Sequence, residues 1–253
     1  MQLHEIFLLF GGGMLAGVIN VIAGGAGFMT FPLLLAAGMT EVEANASNFV
    51  AVLPANLVGT WVYRHEMAAV RKHLFLRLAL AATGGFIGSM ILTHTGQASF
   101  QAAIPWLLLF ATTSFAVGPR IKALAERHPA FDRDRWIWLS LVLEFCVYIY
   151  SGYFGLGMGI ILFAIYGVFS QMTIHEGNAI RNITTSLSSL VAIGIFIGSG
   201  IIRWLPSLVM MSGAVAGGYV ALHVARRLPA AVVRVAILGW AICLTALAFY
   251  RYF

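Results

Sequence analysis

Five polar residues on one predicted helix, Asn178, Arg181, Asn182, Thr185 and Ser189, fall at i, i+3, i+4, i+7 and i+11. That spacing puts them on one face. Amide, hydroxyl and guanidinium groups around a single positive charge form a donor set suited to an anion stripped of its water. Two glycine clusters supply complementary chemistry: Gly24, Gly25 and Gly27 precede one short apolar run, and Gly155, Gly157 and Gly159 precede another. Helix starts bind anions through free backbone N–H groups and a partial positive charge. Glycine lets that backbone approach the ligand with no side chain in the way. Asn45, Asn48 and Asn56 make a matching, sparser polar face on an earlier helix.

Each of these features has a plainer rival account. Glycines in apolar helices also serve close packing in lipid. Arg181, about one and a half turns into its helix, could reach back to the headgroups instead. Glu144 lies inside an apolar run with no partner evident in sequence; a carboxylate there is either structural or a proton carrier. Glu43 and Glu176 each follow a threonine, Thr40 and Thr173, by three positions, which is the pattern of a helix-starting capping box. No HExxH, no GxSxG and no acidic pair on one helix is present, so no catalytic residue, metal site or cofactor is expected and an enzyme is disfavoured.

The elements that must position these groups are apolar helices. Of 253 residues, 60% are hydrophobic and 9% charged, against about 25% charged in soluble domains. Long, continuous, nearly charge-free runs mark an all-α polytopic membrane protein rather than a barrel. Most basic residues fall in the connections between runs, as the positive-inside rule requires, so the net charge of +6 does not point to nucleic acid. Cys146 and Cys243 both lie within apolar runs and are expected to be buried thiols, not a disulfide framework. The N-terminus shows no basic n-region or clear cleavage site, so no removable signal peptide is expected.

The chain repeats itself. Residues 39–46, MTEVEANA, read against residues 172–179, MTIHEGNA, with five of eight positions identical at an offset of 133. The same offset lays Gly24 on Gly157 and Gly84-Gly85 on Gly217-Gly218 without a gap. Two copies of one unit are therefore expected, a first repeat over 1–118 and a second over 136–253, joined by a basic cytoplasmic linker over 119–135. Each has about five helical segments, and the second segment of each is short, either broken or re-entrant. If both short segments cross the bilayer, each repeat has an odd number of crossings and the copies are inverted. The basic stretches at 64–72, 120–135 and 226–234 then fall on one side, which positive-inside counting favours. Inverted repeats with broken helices meeting near the midplane are characteristic of secondary transporters.

The order of motifs resembles the sulfite exporter TauE/SafE family of bacterial anion permeases. The residues concerned are Gly24-Gly25-x-Gly27, Pro32, Gly38, Ala46-Ser47-Asn48 and Gly84-Gly85-Phe86-Ile87-Gly88 in the first half. In the second they are Gly155-x-Gly157-x-Gly159, Ala179, Thr184-Thr185-Ser186, Gly217-Gly218 and Arg226-Arg227. The family's contiguous triple glycine is broken here by Ala26 and Met158, and Ile165 stands where the second short segment would carry proline. The resemblance implies a multi-pass protein of the cell inner membrane that moves small sulfur-containing anions such as sulfite or organosulfonates, with proton coupling, for which Glu144 is the candidate. The expected partners are that anion, membrane lipids and a proton; a homo-oligomer is left open. The rival functions are a passive anion channel and a transporter of another small solute class.

Overall fold

The structure, a computed structural model, describes residues 3–22, 25–127, 133–169, 172–224 and 230–252. The described residues form ten α-helices and one 3-10 turn and contain no strand. The helices of the first half are α1 (Leu3–Ile22), α2 (Gly27–Ala36), α3 (Glu41–Val62), α4 (Leu74–His94) and α5 (Gln97–Arg127). Those of the second are α6 (Arg133–Tyr153), α7 (Met158–Phe169), α8 (Ile174–Gly198), α9 (Trp204–Val224) and α10 (Ala230–Tyr252). The basic stretch 119–135 is thus largely helical, α5 running on through its first part; Arg226 and Arg227 lie outside the described residues.

Among the described helices, α1, α4, α5, α6, α8, α9 and α10 are long and apolar enough to cross a membrane. The 22-residue α3 is not among them, because Glu41, Glu43 and the asparagines lower its hydropathy. The two short helices match the short runs read from the sequence. At 10 and 12 residues, they are about 15 and 18 Å long, roughly half of a ~30 Å hydrocarbon core.

Both capping boxes form. The Thr40 hydroxyl accepts from Glu43 N at 3.4 Å while Thr40 N donates to Glu43 Oε2 at 3.1 Å. Thr173 and Glu176 repeat the arrangement at 3.3 and 2.8 Å. At the same end of α3, buried Glu41 accepts from Gln97 and from Gln101 of α5 (2.9 Å) and from Tyr252 of α10, tying three helices together.

Packing mixes the two halves. α1 lies along α9, and α4 along α6; α3 contacts both α8 and α9, and α4 contacts α8. Exchanging α1–α5 with α6–α10 maps this set onto itself: α1–α9 becomes α6–α4, α3–α9 becomes α8–α4, and α3–α8 is unchanged. Thr112 of α5 and Thr245 of α10, which correspond at the 133 offset, meet with their hydroxyls 3.0 Å apart.

Glycine makes the closest of these contacts possible. A methyl on Gly13 or Gly17 of α1 would strike the backbone of α9 at Met210 and Ala214, and one on Gly213 or Gly217 would strike α1 at Phe10 and Met14. Between α4 and α6, Gly88 and Gly152 are equally confined, against the backbone at Ile149 and at Gly85. Large apolar side chains such as Phe7, Phe75, Trp138 and Leu247 face outward, as a lipid-facing surface requires. The cysteines correct one expectation: Cys146 and Cys243 are free but exposed on that outer surface rather than buried. Lipid is as apolar as the core, so hydrophobicity alone does not tell the two faces of a membrane helix apart.

Candidate functional site

The chain breaks between α1 and α2 and between α6 and α7 come together. A methyl on Gly27 would lie 3.0 Å from Leu156, in the opposite break. Gly25, Gly155 and Gly157 hold φ of +88°, +77° and +78°, a region open at little cost only to glycine. The second break is braced by the Tyr150 hydroxyl, which donates to the Leu156 carbonyl at 2.6 Å. Asn45 steadies it as well, its amide donating to the Tyr153 carbonyl at 2.9 Å.

Between the breaks lies a cavity of about 110 Å³, room for a few waters at ~30 Å³ each or for one small oxyanion. Gly25 and Gly27 line it from the first break, and Gly155, Gly157 and Gly159 from the second; Asn48, Arg181 and Thr185 enter from α3 and α8. These expected site residues are therefore brought together. Three of the remaining four are not. Gly24 lies outside the described residues; Asn45 is committed to Tyr153; Asn182 packs against Gly59 of α3; Asn178 does not reach the cavity wall. Asn20, Asn56 and Ser189 also line it. Asn56 and Ser189, both read from the sequence onto the two polar faces, correspond at the 133 offset just as Asn48 and Arg181 do.

The side chains are set to donate. The Thr30 hydroxyl lies against Asn48 Oδ1, which leaves the Asn48 amide nitrogen facing the start of α2, where a methyl on Gly27 would come 3.5 Å from it. Arg181 rests its aliphatic stem on Gly159, where a Cβ would come 3.3 Å from its Cδ, and its guanidinium sits 5.7 Å from the Phe163 ring centre. One guanidinium nitrogen donates to Asn182 Oδ1 at 3.2 Å, and no carboxylate pairs with it among the described residues. The contrast between helix starts is informative: α3 and α8 carry full capping boxes, whereas α2 begins at the cavity with no side-chain cap. Phe28, Met29 and Thr30 already donate to the carbonyls of Gly25 and Ala26, so the start of α2 offers the cavity its partial positive end rather than a row of free N–H groups.

Glu144 needs a correction. It is not alone: Arg77 of α4 meets it at 3.2 Å, both side chains fully buried. Ser140 donates to the same carboxylate oxygen, Oε1, at 2.9 Å. Arg77 also donates to Met172 Sδ at 3.6 Å and stands 5.2 Å from the Tyr166 ring centre, while the Tyr166 and Tyr148 hydroxyls are 3.1 Å apart. Arg77 was hidden in sequence because it sits near the start of its helix, close to a basic connection, where a basic residue ordinarily reads as an interfacial anchor.

Three similar proteins are described as probable membrane transporters. One from Haemophilus influenzae shares 25% identity over 215 residues, 83% of this chain and 81% of that protein. The Escherichia coli protein YfcA shares 25% over 213 residues, 83% and 77% respectively. ORF9 of a Sinorhizobium species shares 24% over 217 residues, 86% and 82%. No solved structure matches the chain. Residues 9–248 match the model of the sulfite exporter TauE/SafE family, and the chain, a multi-pass membrane protein and not an enzyme, belongs to that family.

Proposed function

We propose that this protein is a secondary transporter of the cell inner membrane that moves a small sulfur-containing anion, of the sulfite or organosulfonate type, by alternating access. Its two halves are inverted repeats, and the anion binds between the two chain breaks. A proton accompanies it, with Glu144 as the coupling carboxylate. The observation that carries this reading is the cavity itself: two helix starts, Arg181 without a carboxylate partner among the described residues, and the polar side chains of Asn48, Thr185 and Ser189 surround a space of small-anion size. An anion entering the bilayer must exchange its water for such donors, and a cation already in place offsets the cost. The inverted arrangement is supported by the 133-residue repeat, by the exchange of helix pairings, and by the placing of all basic stretches on one side.

The test is uptake of labelled sulfite and methanesulfonate into proteoliposomes, with and without an imposed pH gradient. Arg181→Ala is expected to weaken uptake roughly 10- to 100-fold, the usual worth of hydrogen bonds to a charged group. No uptake of either anion by correctly folded wild-type protein overturns the reading. Flux of the wild type that ignores the pH gradient and does not saturate makes it a passive channel.

A further inference from the structure

The Arg77–Glu144 pair has a feature that packing does not explain. Both Arg77 and Ser140 reach Glu144 through Oε1. The second oxygen, Oε2, is buried with no hydrogen-bond partner among the described residues. A carboxylate that spends one oxygen on its cation and leaves the other bare has a place to receive a proton without surrendering the contacts it has. The groups facing it are few: Arg77 from α4, Ser140 and Tyr148 from its own helix, and Tyr166 from α7. Beyond them α8 contributes Thr184, beside Tyr148, and Arg181, within electrostatic reach of Tyr166. Two guanidinium groups, fully buried Arg77 and partly buried Arg181, therefore both act on one tyrosine.

We propose that Glu144 Oε2 is the proton-binding atom of the transport cycle and that it loads together with the anion at Arg181, one proton for each negative charge. The inference rests on the anion-transport reading above. Two guanidinium groups and one carboxylate carry a single net positive charge. A proton alone, turning the carboxylate into the acid, adds a second charge to a medium that tolerates it poorly. A monovalent anion alone cancels the first. The two together return the cluster to the charge it had when empty, so each ligand favours the other. The coupling needs no contact between them, only the shared field around Tyr166.

The experiment uses proteoliposomes loaded with a pH-sensitive dye and labelled methanesulfonate, an anion that carries no titrating proton of its own. The wild type is expected to move one proton per methanesulfonate, with no response to an imposed membrane potential. Glu144→Gln is expected to lose gradient-driven accumulation, the inside-to-outside ratio falling to about one, while labelled-for-unlabelled exchange continues at a measurable rate. The double change Arg77→Met with Glu144→Gln gives the same result without a stranded cation, should the single variant fold poorly. Wild-type transport with no accompanying proton overturns this inference alone, as does gradient-driven accumulation that survives both variants. Absence of methanesulfonate and sulfite transport in the wild type overturns the anion reading, and this inference falls with it.

Discussion

The contacts between α4 and α6 and between α1 and α9 are built from corresponding stretches, yet among the described residues only the first holds a buried ion pair. At the 133 offset Arg77 corresponds to Met210, Glu144 to Gly11, Tyr148 to Leu15 and Tyr166 to Leu33. Met210 is as fully buried as Arg77. The same helix geometry is thus satisfied by a thioether on one side and by an ion pair on the other. Packing needs only the former. A buried ion pair is at best even with a well-packed apolar replacement, and ionisable groups in membrane helices are mostly functional. The cavity shows a milder version of the same difference, with Arg181 of α8 where α3 has Asn48. Both charged members belong to one cluster, so the asymmetry is concentrated rather than scattered.

The comparison is broken most directly by making the two contacts alike. Arg77→Met alone strands Glu144 and is expected to cost about 3–5 kcal/mol, whereas Arg77→Met with Glu144→Gln should recover most of that loss. Thermal unfolding in detergent, read for the single and double variants, checks it; a double variant no better than the single would mean that the pair is needed for folding itself. A second comparison concerns glycine. Gly84 and Gly217 correspond, but a methyl on Gly217 would collide with the Met14 carbonyl, while one on Gly84 meets the Tyr148 Cβ at 2.6 Å. Gly217→Ala is expected to destabilise by about 1–3 kcal/mol, and Gly84→Ala by somewhat less, because its clash is shallower; the Tyr148 Cβ is fixed to its helix, so both changes push helices apart. Equal melting temperatures for the two would remove the distinction. The smallest effect belongs to a contact between two corresponding residues: Thr112→Val and Thr245→Val should each cost about 0.5–1.5 kcal/mol, and the double variant less than their sum, since both delete the shared hydrogen bond while Thr245 also gives up its bond to the Ala241 carbonyl. A double-mutant cycle measures that coupling.

Much of this was legible in the sequence, for reasons particular to each feature. The capping boxes are local, set by residues three apart, and both formed as expected. The glycine breaks were legible because such punctuation stands out in an apolar chain, and the repeat offset lays one break over the other through Gly24 and Gly157. Arg181 was legible as a charge well inside an apolar run. The Arg77–Glu144 pair was not, because nothing local connects two helices that meet only through the fold. The outward cysteines were illegible for a solvent reason: a helix between protein and lipid carries no polar stripe to mark its exposed side. The asparagines divided on the same ground, since Asn45 and Asn48 share a helix face yet one braces the chain break and the other lines the cavity.

The glycine-lined contacts bear finally on how the molecule can move. Backbones pressed together along α1–α9 and α4–α6 can neither slide nor rotate without collision, so each pair behaves as a single strut. Each strut takes one helix from either half of the chain. A rocking motion that swung one whole repeat against the other would have to tear both struts apart. Under the proposed alternating access, the rocking bodies are therefore expected to be drawn across the two halves, one containing α1 with α9 and the other α4 with α6.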